Sequence, residues 1–314
     1  MKKVTLGRTG LQASVAGLGT GGHSALGLKK FGQDHAASIV RAAYDEGINF
    51  FDTATKYGTQ DAVGQGLEGL PRDSYILSTK FNFVNKADGS IKRPEELAEA
   101  LDDSLRALRT DYVDIYHLQG IFFDKYQQIC ERFMPEMIKA KEQGKIRFTA
   151  ASEDFPGDMD HKMLQLALKD DYFDVYMLGY NLLNQSAARS ILPQSEKQGV
   201  GTLCMYAVRN ALSNPERLRA NIEQILANGQ ADPELLHADE DLSFIVKEGA
   251  AKSITEAAYR FCSHTRGLNV VLTGTGSVEH LKDNIEAISG PPLPEQILKK
   301  LYAMFGRVDC IAGN

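Results

Sequence analysis

The stretch Gly47-Ile48-Asn49-Phe50-Phe51-Asp52-Thr53-Ala54 shows the unit from which this chain of 314 residues is built. Its apolar part, Ile48–Ala54, is too short for a helix and rich in β-favouring side chains, so it predicts a strand. The segment before it, Gln33–Glu46, repeats apolar residues at spacings of three and four from Ala37 to Tyr44. That spacing is typical of an amphipathic helix, so the local pattern is a helix followed by a strand.

Eight short runs along the chain have strand character, and longer amphipathic segments separate most of them. The runs are Ser14–Gly19, Ile48–Ala54, Tyr75–Phe81, Val113–Leu118, Ile146–Ser152, Asp174–Tyr180, Val200–Tyr206 and Asn269–Thr275. Most of them start about 26–38 residues apart, the length of one βα unit. Eight units in series predict an α/β fold, a closed (β/α)8 TIM barrel rather than an open sheet. The longer gap before the last run indicates an insertion at Asn214–Gly249.

The two ends of the chain add elements to the predicted barrel. Val4–Leu6 and Leu11–Ala13, joined by Arg8-Thr9-Gly10, predict an N-terminal β-hairpin. Helices, including additional C-terminal helices, are predicted at Gln33–Glu46, Arg93–Arg109, Ile138–Gln143, Ser253–Ser263, Ser277–Ile288 and Pro294–Met304. The sequence shows no low-complexity linker and no break in composition, so residues 1–314 are predicted to form a single barrel domain.

The composition excludes several classes of protein. Hydrophobic residues make up 43% and charged residues 24%, as in a globular chain rather than a disordered or fibrous one. The net charge of −6 disfavours nucleic acid as a partner. No apolar run reaches the roughly 18 residues of a membrane span, so no membrane partner is predicted. The four cysteines form no C-x-x-C pair, which disfavours structural zinc and favours a reducing, cytoplasmic location.

Three consecutive predicted strands end in a polar residue. These are Asp52, Lys80 and His117, and Tyr57 follows in the loop after the first strand. In a barrel these ends open onto the same face, where active sites lie. A cation near a phenol lowers its pKa from about 10, so a Tyr–Lys pair makes a proton donor or acceptor. Taken singly, each residue has an ordinary structural role as a cap, a surface cation or a satisfied imidazole, but their coincidence favours an active site.

Two glycine-rich turns are candidate ligand loops. Gly17–Gly22 matches G-x-G-x-x-G, but no helical stripe follows it, so a loop that approaches a ligand closely is favoured over a Rossmann fingerprint. Gly274–Ser277 joins the last predicted strand to a predicted helix. A helix N-terminus binds anions, and the last loops of a barrel commonly bind phosphate. The alternative for this second turn is a plain tight βα connection.

Together these motifs resemble the aldo-keto reductase superfamily over nearly the whole chain. The most specific match is Gly47–Ala54 followed by Tyr57-Gly58, and Ser78-Thr79-Lys80 and Asp111–His117 are similar to the next two blocks. The resemblance implies a (β/α)8 barrel and reversible carbonyl reduction with NAD(P)(H), without metal. It also implies a catalytic tetrad. Its members here are Asp52, Tyr57 as general acid, Lys80 to tune the tyrosine, and His117 to orient the carbonyl.

The resemblance further implies the positions that bind the cofactor. They are Gly19, Thr20, Gly21, Asp52, Ser152, Glu153, Met177, Tyr206, Arg209, Gly274, Thr275, Gly276, Ser277, His280, Asp283 and Asn284. Several depart from the family pattern. The Ser-Asn pair that holds the carboxamide falls at Ser152-Glu153, the glutamine at Met177, and the stacking tyrosine at Met205 with Tyr206 next to it.

The cation that usually holds a 2′-phosphate falls at Gly274 or Gly276, and another falls at His280, so no preference between NAD and NADP is predicted. Substrate contacts are predicted for three phenylalanines at or just after strand ends: Phe81, Phe122 and Phe123.

The leading hypothesis is an oxidoreductase that interconverts an aldehyde or ketone, possibly a sugar, with the corresponding alcohol. One alternative is a regulatory or low-activity member of the fold that binds the cofactor. Another is a barrel lyase or isomerase that transfers protons through Tyr57 and Lys80. The sequence leaves the substrate, the direction of the reaction and the oligomeric state open.

Overall fold

The computed structural model describes residues 1–22 and 24–314. Its strands are β1 (Lys3–Thr5), β2 (Gln12–Ser14), β3 (Ala16–Gly19), β4 (Phe50–Asp52), β5 (Ile76–Phe81), β6 (Val113–Ile121), β7 (Ile146–Glu153), β8 (Val175–Gly179), β9 (Gly201–Met205) and β10 (Val270–Thr273). Strands β3 to β10 pair in parallel, and β10 returns to β3, so they close an eight-stranded barrel. Strands β1 and β2 form an antiparallel hairpin. The predicted (β/α)8 barrel and N-terminal hairpin are both confirmed.

The helices surround the barrel. They are α1 (Leu28–Phe31), α2 (Gln33–Asp45), α3 (Gln60–Leu67), α4 (Glu95–Leu108), α5 (Tyr126–Glu142), α6 (Lys162–Ala167), α7 (Ala187–Ser190), α8 (Leu192–Gln198), α9 (Asn210–Ser213), α10 (Pro215–Ala227), α11 (Phe244–Lys247), α12 (Ile254–Ser263), α13 (Val278–Ser289) and α14 (Glu295–Phe305). The predicted insertion holds α10 and α11. Across the described residues, no helix combines the length and apolar character that crossing a bilayer requires.

Two apolar layers result from the alternation of side chains along each strand. On β5, Ile76 faces the barrel interior with Ser78 and Lys80, whereas Leu77 and Phe81 face the surrounding helices. This is the period of two that a pleated strand imposes. Which face a side chain occupies therefore follows from whether its position along the strand is odd or even.

Strand β6 is longer than the sequence predicts. The predicted strand ends at Leu118, but the ladder with β7 continues to Ile121, with a register shift between Gln119 and Ile121. Because inward residues alternate, Gln119 faces the same way as His117 and lies one layer nearer the mouth of the barrel. Helix α5 is also longer than its predicted segment, since it starts at Tyr126 and contains Pro135.

Candidate active site

A cavity of about 590 Å³ opens at the carboxyl ends of the barrel strands. Ten of the residues predicted to serve catalysis or cofactor binding line it. They are Gly19, Gly21, Asp52, Tyr57, Ser152, Glu153, Met177, Tyr206, Arg209 and Gly274. They come from strands β3, β4, β7 and β8 and from the loops after β3, β4, β9 and β10, so the fold brings together residues that are far apart in the sequence.

Beneath this cavity lies a buried ion pair. The Lys80 Nζ atom is 2.6 Å and 2.5 Å from the two Asp52 carboxylate oxygens, and 2.8 Å from the Thr53 carbonyl oxygen. All three of its donors are therefore used. Burial raises the pKa of Asp52 and lowers the pKa of Lys80, while their mutual attraction opposes both shifts. The pair is fixed in place by its own hydrogen bonds.

Tyr57 ends a short 3-10 turn, Thr55–Tyr57, which Gly58 terminates in a left-handed conformation. The ring lies close against the loop after β3, where a Cβ atom placed on Gly21 would stand only 2.8 Å from it. The Lys80 Nζ atom is 5.2 Å from the ring centroid. Only a residue without a side chain permits this close approach of the phenol to the loop.

The pKa of Tyr57 is raised above its ordinary value, first by burial and then by the Asp52 charge, while a hydrogen bond from Gln119 lowers it. The sequence predicted the opposite direction, with Lys80 stabilising the phenolate. The difference arises because burial disfavours the phenolate and the Asp52 charge repels it. Tyr57 consequently holds its proton at neutral pH, which suits a proton donor.

His117, for which the sequence predicts a carbonyl-orienting role, lies close to the ion pair. This imidazole is fully buried, and its Nε2 atom lies 3.0 Å from the Ser78 Oγ atom, which donates to Asp52 over 2.8 Å. Burial and the Lys80 charge lower the pKa of His117, so it is neutral. Within the described residues, the cavity wall includes Asp52 but neither Lys80 nor His117. His117 is therefore linked to the ion pair through Ser78, and its carbonyl-orienting role stays a prediction.

The residue that occupies the mouth of β6 is Gln119, which the sequence analysis missed. It lines the cavity, and its Nε2 atom donates to the Tyr57 hydroxyl over 3.4 Å. The signal that identifies it is strand alternation. Extending Val113, Ile115 and His117 by one further inward position reaches Gln119, provided that the strand is known to continue past Leu118.

The Glu153 side chain forms its hydrogen bonds with residues outside the barrel interior. Its carboxylate lies 2.9 Å and 3.1 Å from His161 Nδ1 and accepts the Gly179 N–H over 2.7 Å. His161 Nε2 in turn lies 2.9 Å from the Ser186 Oγ atom. Burial lowers the pKa of His161, but the charge and hydrogen bond of Glu153, together with the charges of Asp158 and Asp160, raise that pKa overall. The sequence analysis missed His161, and this pairing leaves Glu153 with less capacity for a cofactor amide.

Phe155 and Tyr206, from the loops after β7 and β9, form an aromatic wall of the cavity. Tyr206 has a left-handed backbone (φ 68°), and its ring meets Phe155 edge to face at 5.4 Å. The Arg209 guanidinium lies 4.3 Å from the centre of the Tyr206 ring and donates through Nε to the Asn314 Oδ1 atom over 2.8 Å. These contacts hold the loop after β9 against the cavity.

Several predicted cofactor residues lie away from this wall. Thr20 is fully buried, and its hydroxyl pairs with Thr59 at 2.7 Å. Four others form the turn before α13 and its first turn: Thr275, Gly276, Ser277 and His280. The turn starts at Gly274, where a Cβ atom would stand 2.6 Å from the Gly19 carbonyl oxygen, so backbone lines the cavity there. Asp283 and Asn284 line a separate groove between α12 and α13.

The three predicted substrate phenylalanines do not reach the cavity wall that the described residues form. Phe81 faces the helix layer and packs edge to face on Phe133 of α5 at 5.2 Å. Phe122 packs on Phe83 at 6.2 Å, and Phe123 lies beneath the Lys162 ammonium group. For Phe81 the reason is alternation, since its neighbour Lys80 takes the inward position.

Comparisons with known proteins agree with this geometry. Residues 17–304 match the model of the Aldo/keto reductase family. The chain is 30% identical over 298 residues to L-galactose dehydrogenase of Arabidopsis thaliana, across 90% of this chain and 87% of that protein. It is 26% identical over 306 residues to the NADP(+) aryl-alcohol dehydrogenase of Phanerodontia chrysosporium, across 86% and 76% of the two chains.

A solved structure shares the fold. The holo form of an aldo-keto reductase from Bacillus halodurans superposes with a TM-score of 0.72 at 23% identity, covering 99% of this chain and 98% of that one. The likeness extends over the barrel and its helices. From the family match and the 30% identical relative, we conclude that this chain is an oxidoreductase of the aldo/keto reductase family.

Proposed function

We propose that this protein interconverts an aldehyde or ketone with the corresponding alcohol by means of NAD(P)(H), and that Tyr57 transfers the proton. Family membership supports NAD(P)-dependent carbonyl reduction in general. The observation that carries the residue assignment is the Tyr57 hydroxyl. It faces a cavity of cofactor size, keeps its proton, and stands above the Asp52–Lys80 pair.

The residues present fit a nicotinamide cofactor. Gly21 and Gly274 bring bare backbone to the cavity, as a diphosphate requires, and the Tyr206 ring offers a stacking surface. Ser152 supplies a hydroxyl for the carboxamide, whereas Met177 beside it supplies only a thioether. When bound, the cofactor donates or accepts the hydride.

The chain's own residues carry the proton step. In reduction, Tyr57 gives its proton to the carbonyl oxygen and is left as a phenolate. The hydrogen bond from Gln119 Nε2 favours that phenolate, and so does the Lys80 ammonium group near the ring. Asp52 keeps Lys80 charged and fixed beneath the ring. In oxidation the same atoms act in reverse, and the phenolate accepts the proton of the alcohol.

We propose no strong preference between NAD(H) and NADP(H). Arg209 is the cation of the aromatic wall, but its guanidinium already contacts the Tyr206 ring and Asn314. A 2′-phosphate is best held by arginine or lysine, and Gly274, Gly276 and His280 stand at the matching positions.

A second function has one observation in its favour. Glu153 already binds His161, and Met177 offers only a weak thioether acceptor, so the carboxamide has fewer strong partners than the family pattern provides. A site of this kind would be expected in a family member that binds the cofactor but catalyses the reaction poorly.

Steady-state oxidation of NADH and NADPH by the purified protein distinguishes the two functions. A panel of aldehydes and ketones is the substrate set, and cofactor binding is measured separately by calorimetry. Turnover of any carbonyl that falls by about 10²-fold or more in Tyr57→Phe supports the enzyme. Cofactor binding without turnover on the whole panel supports the second function instead.

A further inference from the structure

A second buried ion pair lies directly behind the cavity wall. Glu153 belongs to that wall, yet its side chain and that of His161 are both fully enclosed. The Nδ1 atom of the imidazole lies 2.9 Å from one carboxylate oxygen of Glu153 and 3.1 Å from the other. The Gly179 N–H donates to the same carboxylate over 2.7 Å. Donors that converge on a carboxylate in this way favour its charged form.

The other imidazole nitrogen shows that His161 carries a proton on both sides. Its Nε2 atom is 2.9 Å from the Ser186 Oγ atom, which lies 2.5 Å from the Asn184 Oδ1 atom. The Asn184 amide is oriented by the hydrogen bonds of its Nδ2 atom to two backbone carbonyl oxygens. Two oxygens 2.5 Å apart need a hydrogen between them, so the hydroxyl hydrogen of Ser186 points to Asn184. The Ser186 oxygen then accepts the Nε2–H, and His161 is an imidazolium.

The surroundings of the pair are mainly acidic. Its titratable and charged neighbours on the elements packed around it are Asp154 after β7, Asp158 and Asp160 before α6, Lys162 in α6, Tyr206 and Arg209 after β9, and Asp309 after α14. Both cations of this set have other contacts, an aspartate for Lys162 and an aromatic ring for Arg209. Burial lowers the pKa of His161, but Glu153 and the two aspartates before α6 raise it overall. His161 is therefore the cation that neutralises Glu153.

Two aromatic rings connect the pair to the cavity. The Phe155 ring stacks on the His161 ring with centroids 5.4 Å apart and planes at 14°, and it meets Tyr206 edge to face at the same distance. Phe155 and Tyr206 both line the cavity, and Tyr206 is the stacking surface of the proposed function. Buried aromatic carbon screens charge weakly, so a charge on a ring stacked there acts on the pair.

We propose that the Glu153–His161 pair responds to the charge of the nicotinamide ring, so that the oxidised cofactor binds with release of a proton from His161 and the reduced cofactor binds without it. This inference rests on the proposed function. The oxidised ring carries one positive charge, and the reduced ring carries none. The proton leaves an imidazole nitrogen for the solvent, and no bond of the cofactor changes. The Ser186 hydroxyl then turns from Asn184 to donate to the bare Nε2 atom.

The sign of the pH dependence follows from repulsion between like charges. A cationic ring in the cavity lowers the pKa of His161 from its raised value. Between the two pKa values the oxidised cofactor binds more tightly as the pH rises, because its binding releases protons. The reduced cofactor has no such range of pH.

The two cofactor forms differ only in the ring, so the ratio of their dissociation constants removes the contributions of the diphosphate and the adenosine. We expect the oxidised form to gain about threefold to tenfold over the reduced form between about pH 6 and pH 9. A shift of one pKa unit corresponds to about tenfold in this ratio.

Calorimetry in two buffers of different ionisation enthalpy counts the protons that NAD(H) and NADP(H) release on binding. Tyr57 also lines the cavity, so the count is made in Tyr57→Phe, which has no phenol proton to lose. The oxidised form should release a measurable fraction of a proton, and the reduced form almost none. In the same background, Glu153→Gln should abolish the difference, because without the carboxylate burial keeps His161 neutral. Glu142→Gln, the same change at the exposed end of α5, should keep it.

The proton count separates an electrostatic effect from a structural one. If the pair only supported the wall, Glu153→Gln would weaken both cofactor forms by the same factor and leave the proton counts unchanged, which overturns the proposal. If Glu153→Gln does not fold, the double variant with His161→Gln, which leaves no charge in the pair, replaces it with the same expectation. Equal proton counts for the two forms in Tyr57→Phe overturn this inference alone, because carbonyl turnover by the parent still supports the proposed function. A parent protein that binds none of the four cofactor forms overturns both.

Discussion

Two layers of the barrel interior differ in how tightly their polar groups are bound. The lower layer consists of Asp52, Ser78, Lys80 and His117, joined by contacts of 2.5 to 3.0 Å. The mouth layer consists of Tyr57 and Gln119, joined by a single contact of 3.4 Å. The lower layer is thus fixed by its own hydrogen bonds, and the mouth layer is free to exchange partners. A proton donor needs this freedom, because its hydrogen bonds must pass to the substrate during the reaction.

The largest expected effect comes from removing the hydroxyl of the mouth layer. Tyr57→Phe should lower kcat/KM for reduction by about 10²–10⁴-fold, the usual contribution of a positioned general acid. The unfolding free energy should change little, because the lower layer keeps its contacts. Tyr302→Phe, on the half-exposed surface of α14, is the matched control. A Tyr57→Phe enzyme within about threefold of the parent would show that another group supplies the proton.

Breaking the lower layer should unfold the protein more easily. Lys80→Met leaves the Asp52 charge buried without its partner, which typically costs about 3–5 kcal/mol of unfolding free energy. Urea denaturation followed by circular dichroism measures it. The double variant Asp52→Leu with Lys80→Met should recover much of this loss, since no buried charge remains. A loss below about 1 kcal/mol in Lys80→Met would mean that the pair is not the support of this layer.

The two directions of reaction should respond differently to pH. The pKa of Tyr57 is raised, so the phenol stays protonated from neutral pH up to and beyond its ordinary value of about 10. Reduction uses the protonated form and should hold its rate over that range. Oxidation uses the phenolate and should rise about tenfold per pH unit, or about a hundredfold from pH 7 to 9. Profiles of kcat/KM against pH in both directions test this. A reduction rate that already starts to decrease at a pH lower than 9 would contradict it.

The smallest expected effect comes from His117. His117→Asn should remove the hydrogen bond to Ser78 and lower the unfolding free energy by about 1–3 kcal/mol. Because His117 does not line the described cavity wall, kcat/KM for reduction should stay near the parent value. Steady-state kinetics measured beside urea midpoints provide the check. A lower kcat/KM with unchanged stability would support the predicted carbonyl-orienting role of His117.

The local sequence around the site predicted its lower layer well. Asp52 and Lys80 each end an apolar run, and parallel strands in a closed barrel bring such ends to one face, so their proximity follows from the pattern alone. The hairpin and the eight strands could also be predicted, because the residue patterns that indicate them lie within a few residues of one another. The outward orientation of Phe81 also follows from alternation, because its neighbour Lys80 faces inward.

Other features depended on contacts between distant segments. The end of β6 is set by its pairing with β7, and this decided that Gln119 and not His117 reaches the mouth. His161 forms hydrogen bonds both to Glu153, at the end of β7, and to Ser186, just before α7, so it joins segments that the barrel brings together. The direction of the Tyr57 pKa shift follows from burial and from the nearby Asp52 charge.

The sequence by itself therefore determined the barrel, its hairpin and the set of strand-end residues from which the site is built, because short-range periodicity encodes strands and their faces. Only the tertiary structure decided which of those residues meet the cavity and in which protonation state. Strand length, burial and hydrogen-bond partners depend on neighbours from other parts of the chain, and no local pattern contains them.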